Sequence, residues 1–176
     1  MAVSKSPLRA GHPPTLMAQG RPLDASPDCL GELRSSADVA DDGGELRRRL
    51  VEDGYLFLPG FLEERAVLDA RRSVTDRLFQ EGLTDAAYPA DLAVAPEGIG
   101  LQFKPELSHD NPALHSLLYT GRMIELYERL LQGEVRHYDY TWMRVVAPGH
   151  GTQPHGDVVF MGRGTHDLYT AWVPLG

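Results

Sequence analysis

Between two runs rich in β-branched and aromatic residues the chain carries the tripeptide His155-Gly156-Asp157, and this arrangement constrains the fold more than any other feature. In a β-strand residues i and i+2 point to the same face. His155 and Asp157 are therefore expected to present an imidazole and a carboxylate to one point while Gly156 faces away. The run before it, Tyr140 to Gly149, reads as a strand closed by the Pro148-Gly149 turn. After it, Val158-Val159-Phe160-Met161 continues the strand, Gly162 to His166 reads as a polar loop, and Leu168 to Pro174 supplies a further strand. Strand, turn, ligand strand, loop and strand is how a small β-barrel brings ligands to its mouth. An imidazole and a carboxylate make two thirds of the 2-His-1-carboxylate triad that holds Fe(II) in non-haem oxygenases. His155 and Asp157 are thus the candidate metal ligands and catalytic residues.

The rest of the chain divides by composition. Residues 1–20, rich in Pro, Gly, Ser and Ala, read as a mobile leader, and residues 21–44 as a polar segment lying on the domain surface. A domain over 45–176 follows, helical in 45–132 and built of β-barrel strands in 133–176. Glu45 to Glu52 is expected to be a helix with Leu46, Leu50 and Val51 on one side and Arg47, Arg48 and Arg49 largely on the other, stopped by Asp53-Gly54. Tyr55 to Leu58 reads as a short strand. Glu63 to Glu81 carries Ala66, Val67, Ala70, Val74, Leu78 and Phe79 at helical spacing, with Arg65, Arg71, Arg72 and Arg77 as a solvated face. Thr84 to Pro105 reads as a loop containing a short strand over Leu101 to Lys104. Asn111-Pro112 opens one interrupted helix or two, over Ala113 to Tyr119 and Met123 to Leu131, and Gly133 ends it.

Three segments together resemble the phytanoyl-CoA dioxygenase family of Fe(II)- and 2-oxoglutarate-dependent oxygenases. They are Leu50 to Leu62, Met143 to Gly149 leading into Pro154-His155-Gly156-Asp157, and Ala171 to Leu175, within a resemblance that covers Leu30 to Gly176. The resemblance implies an α+β fold, a double-stranded β-helix of jelly-roll or cupin-like type with N-terminal helices packed on the barrel. It also implies a barrel incomplete at the C-terminus. Family members continue into a Gly-Ser-His-like segment with a distal His and an Arg that pairs with 2-oxoglutarate, and both are expected beyond Gly176. The activity implied is hydroxylation of a small organic substrate, with Fe(II) as cofactor and 2-oxoglutarate and O2 as co-substrates, yielding succinate and CO2. By the same resemblance Met143 and Trp172 line the 2-oxoglutarate pocket, and Lys104 pairs with a 2-oxoglutarate carboxylate. Alternation agrees for Met143, which shares one strand face with Thr141 and Val145, leaves Arg144 on the opposite face in a structural role, and puts Trp172 on the face of Thr170.

Composition excludes several partners. A net charge of -8 gives no clustered cationic surface for nucleic acid. No apolar run reaches the roughly 18 residues of a membrane helix, so a soluble, cytoplasmic protein is expected. The single cysteine, Cys29, allows neither an internal disulfide nor a multi-cysteine metal knuckle. Among rival ligands, His166 lies beyond a Gly-rich turn and His150 follows Pro148-Gly149, while His109, His115 and His137 have no partner at ligand spacing. Two alternatives stand beside the oxygenase: a non-catalytic cupin-like metal- or ligand-binding barrel, and an interaction module that self-associates through exposed sheet edges.

Overall fold

The computed structural model describes residues 15–18, 20–99, 102–146, 152–153 and 155–175. The chain forms two units, Met1–Glu32 and Leu33–Gly176. In the first, β1 (Met17–Ala18) pairs antiparallel with β2 (Arg21–Pro22) around Gly20, whose φ of 71° is the left-handed conformation a tight turn requires. Asp24 then closes a turn by accepting the Ser26 N–H at 2.8 Å, and that bond holds its carboxyl below the usual range. Most of the expected leader, residues 1–14 and 19, lies outside the described residues. The expected polar segment 21–44 is divided by the boundary at Glu32–Leu33.

The second unit is helical. Helix α1 (Gly43–Asp53) starts where the Asp42 carboxylate accepts the Glu45 N–H at 3.0 Å and stops at Gly54, whose φ of 77° lets its N–H reach the Leu50 carbonyl. Its inward face carries the expected Leu46, 0% exposed, and Leu50, half-buried against the same apolar cluster, with Arg49 turned inward in place of the expected Val51. Residues i and i+3 share a face, so Arg49 turns inward and Val51, 88% exposed, points to solvent. Arg49 is tolerated there because every part of its guanidinium is partnered, by both oxygens of Asp38, by Glu45 Oε1 and by the Ser35 carbonyl.

Helix α2 (Glu64–Gln80) buries Ala70, Val74 and Leu78, as the spacing predicts, together with Thr75, while Phe79, expected on the same face, is 40% exposed. Its arginines do not form one solvated face. Arg71 donates to the carbonyls of Leu175 and Asp91, and Arg77 to those of Leu107, His109 and Asp110, so the two side chains pin loops to the helix. Helices α3 (Pro112–Tyr119) and α4 (Gly121–Leu131) are separate, broken at Thr120. Asn111 caps α3 from a buried position: its Oδ1 accepts from Leu114 N–H and Ser73 Oγ, and its Nδ2 donates to the Leu107 carbonyl. Gln132, at φ 62°, takes the left-handed cap of α4 one residue before the expected Gly133.

Two apolar clusters result. One joins Ala70, Val74 and Leu78 of α2 to Leu107, Leu114 and Leu117, with Met143, Val145, Val173 and Leu175 laid against it. The other joins Ala40 and Leu46 to Phe61, Leu126 and Leu130.

The double-stranded β-helix is not what the chain forms. Among the described residues of this unit the only ladder is β3 (Gln102–Phe103) against β4 (Arg144–Val145), antiparallel, with Lys104 N–H donating to the Met143 carbonyl at 3.0 Å. Tyr55 to Leu58 makes an isolated bridge, Phe57 to Ser35, instead of a strand. The expected motif strand is a helical turn, α5 (Val158–Met161). A four-residue apolar run fits a helical turn as well as a strand, and periodicity alone does not separate them. Barrel closure needs a continuous ring of paired strands, and the ladder present is two residues long.

Candidate metal centre

His155 and Asp157 do converge, by a different backbone route from the one the sequence suggests. Asp157 has φ -58° and ψ -31°, helical values, and opens α5 by giving its carbonyl to the N–H groups of Phe160 and Met161. Its carboxylate makes no capping bond and is free to face back along the chain. Asp157 Oδ1 stands 3.4 Å from His155 Nε2.

Both outer atoms of the pair are tethered. His155 Nδ1 lies 2.7 Å from the Gln153 carbonyl oxygen. A carbonyl only accepts, so Nδ1 carries the proton, and in the neutral ring Nε2 holds the lone pair that faces Asp157. On the other side Thr170 Oγ1 donates to Asp157 Oδ2 at 2.6 Å. The Phe160 ring sits edge-on to the imidazole, with centroids 6.4 Å apart.

Two acceptors facing one another repel unless they share a cation. That cation is a second imidazole proton or a metal ion. The spacing suits a metal: ligand atoms about 2.1 Å from one ion are separated by about 3.0 Å at octahedral and about 3.4 Å at tetrahedral angles. A neutral histidine whose distal N–H is held by a carbonyl, beside a carboxylate whose outer oxygen is hydrogen-bonded, is the usual dress of metal ligands. The pair therefore fits two positions of a divalent ion. Among the described residues no third His, Cys, Asp or Glu joins it to complete a three-ligand group. His166, His109, His115 and His137 are exposed, His137 stacking on Tyr119 at 4.2 Å, and His150 lies outside the described residues.

The co-substrate residues stand apart from this pair. Met143 is half-buried on the core with Thr141 and Val145 on the same face, while Arg144 faces outward over the Phe103 ring. Lys104 is brought beside Met143 by the short ladder, but its Nζ is 2.9 Å from both Glu106 Oε1 and Glu81 Oε2. These two carboxylates raise its pKa and occupy the charge that the resemblance assigns to 2-oxoglutarate. Trp172 is 86% exposed. None of the three shares a hydrogen bond, ion pair or aromatic contact with His155 or Asp157 among the described residues. A groove of about 300 Å³ between α2, α3 and α4, lined by Leu62, Ala66, Leu117, Arg122 and Met123, contains no predicted site residue.

Thr170 and the Gln153 carbonyl are the contributors that sequence reasoning missed. Thr170 shows in the sequence only as a neighbour of Trp172 in an extended run, and a backbone carbonyl leaves no sequence signal. No protein-family model, no curated protein and no solved structure matches this chain.

Proposed function

We propose that the chain contributes the His155–Asp157 arm of a mononuclear Fe(II) centre in a 2-oxoglutarate-dependent oxygenase that hydroxylates a small organic substrate. The observation that carries this reading is the 3.4 Å approach of His155 Nε2 to Asp157 Oδ1 with both outer atoms tethered. The choice of iron and of 2-oxoglutarate rests on the segments that resemble the phytanoyl-CoA dioxygenase family. When bound, Fe(II) would supply O2 activation coupled to decarboxylation of 2-oxoglutarate. The residues of this chain would act by position. His155 offers Nε2 because Gln153 holds the other nitrogen, and Asp157 offers Oδ1 because Thr170 holds Oδ2. Lys104 would meet 2-oxoglutarate only by releasing Glu81 or Glu106. A cytoplasmic setting belongs to the same proposal; among the described residues no helix is long and apolar enough to cross a membrane.

A second reading has its own support. Val158, Val159, Phe160 and Trp172 are all exposed in the motif region, as expected of a surface that meets another chain. Anaerobic titration with Fe(II) and then 2-oxoglutarate separates the two, run on this chain and, where the reading frame continues past Gly176, on the longer form. The oxygenase reading expects a weak visible charge-transfer band that His155→Ala abolishes. Fe(II) binding with no response to 2-oxoglutarate in either form would leave a metal-binding interaction module.

A further inference from the structure

We infer that Thr170 is a positioning residue for the metal arm, the tether through which the helical core holds the Asp157 carboxylate in its ligating orientation. The inference rests on the reading of His155 and Asp157 as metal ligands. A carboxylate only accepts, so the 2.6 Å contact is a hydrogen bond from the Thr170 hydroxyl to Asp157 Oδ2, shortened by the charge on the acceptor. With Oδ2 so engaged, Oδ1 is the oxygen left facing His155 Nε2.

The second observation is what stands behind Thr170. Among the described residues the ligand turn buries no apolar side chain: His155, Val158, Val159 and Phe160 are exposed, and Met161 is half-buried. Three and five residues beyond Thr170, Val173 and Leu175 pack against the cluster built on α2 and α3. The Leu175 carbonyl also accepts from Arg71 Nη1 at 2.6 Å. Position is therefore passed from α2 through Arg71 and Leu175 to Thr170, and from its hydroxyl to Asp157. Thr suits the task, because its β-branch restricts χ1 and so fixes where the hydroxyl points. Hydrogen-bond partners of metal ligands typically change metal affinity about 10- to 100-fold when removed.

The test is a Co(II) titration of the whole chain under anaerobic conditions, followed by its visible absorption, for wild type, Thr170→Val, Thr170→Ser, His155→Ala and Asp157→Ala. The expected result has four parts: wild type binds; His155→Ala and Asp157→Ala do not; Thr170→Val binds about 10- to 100-fold more weakly; and Thr170→Ser recovers most of that loss. The melting temperature of metal-free Thr170→Val should match wild type, which a merely structural role would not give. Should Thr170→Val fail to fold, Thr170→Ala against Thr170→Ser carries the same comparison. Wild-type affinity in Thr170→Val, with His155→Ala and Asp157→Ala still inactive in binding, overturns the tether and leaves the metal site standing. Absence of Co(II) binding by wild type overturns both.

Discussion

Helices α1 to α4 bury Leu46, Leu78, Leu114, Leu117, Leu126 and Leu130, whereas the segment after residue 152 leaves Val159, Phe160 and Trp172 mostly in solvent. The first region is held by packing and by capped helix ends. The second is held by a few polar tethers, Gln153 to His155, Thr170 to Asp157 and Arg71 to Leu175, with Val173 and Leu175 as its apolar footholds. The difference teaches that stability and the candidate site reside in separate parts of one unit, and that single substitutions should be able to alter either alone.

The largest expected effect is in the packed region. Leu46→Ala or Leu114→Ala, at positions 0% and 1% exposed, should cost about 3–5 kcal/mol in urea unfolding through lost burial and the cavity left behind. A loss below about 1 kcal/mol would mean that the helical body is not close-packed there. Next comes Asn111→Ala, which removes the cap of α3 and the Asn111 bonds to Ser73 Oγ and the Leu107 carbonyl; about 1–2 kcal/mol is expected by the same measurement. At the other end of the scale, Phe160→Ala, at a residue 71% exposed, should change stability by no more than about 0.5 kcal/mol. A larger loss would show that the motif region is packed after all, and the comparison would break.

Acid sharpens the same contrast. Hydrogen bonds from Arg48, and then from Arg49, hold the Glu45 carboxyl down at about 2 from its ordinary 4.5. Its folded-state pKa is depressed, so its stabilising contribution is full above about pH 4.5 and is lost as pH falls toward 2. Melting curves should therefore drop in that window for wild type and drop less for Glu45→Gln. Equal drops would show that the Arg48 and Arg49 contacts do not persist in solution.

How far the sequence revealed this arrangement follows from which interactions are local. The helices α2, α3 and α4 were legible because apolar spacing and the Asn111-Pro112 start act within a few residues of themselves. The Asp53-Gly54 stop was legible for the same reason. The inward turn of Arg49 was not, because its partner Asp38 and the Ser35 carbonyl lie in an irregular segment with no periodic signal. The barrel expectation fails because strand character depends on partners distant in sequence; Tyr140 to Val146 keeps the alternation of a strand but, among the described residues, pairs only with Gln102–Phe103. His155 and Asp157 were found as a pair since i and i+2 lie close in an extended chain and in a turn alike. Thr170 was not, since its contact with Asp157 spans the Gly162 to His166 loop.

The most direct measurement is the 15N spectrum of the His155 imidazole, with and without Zn(II) as a diamagnetic probe. The neutral His155 ring should carry its proton on Nδ1, and its Nε2 signal should shift on adding Zn(II), a shift that Asp157→Ala removes. A ring protonated at Nε2, or an Nε2 signal indifferent to Zn(II), would contradict the reading of His155 and Asp157 as one arm of a metal centre.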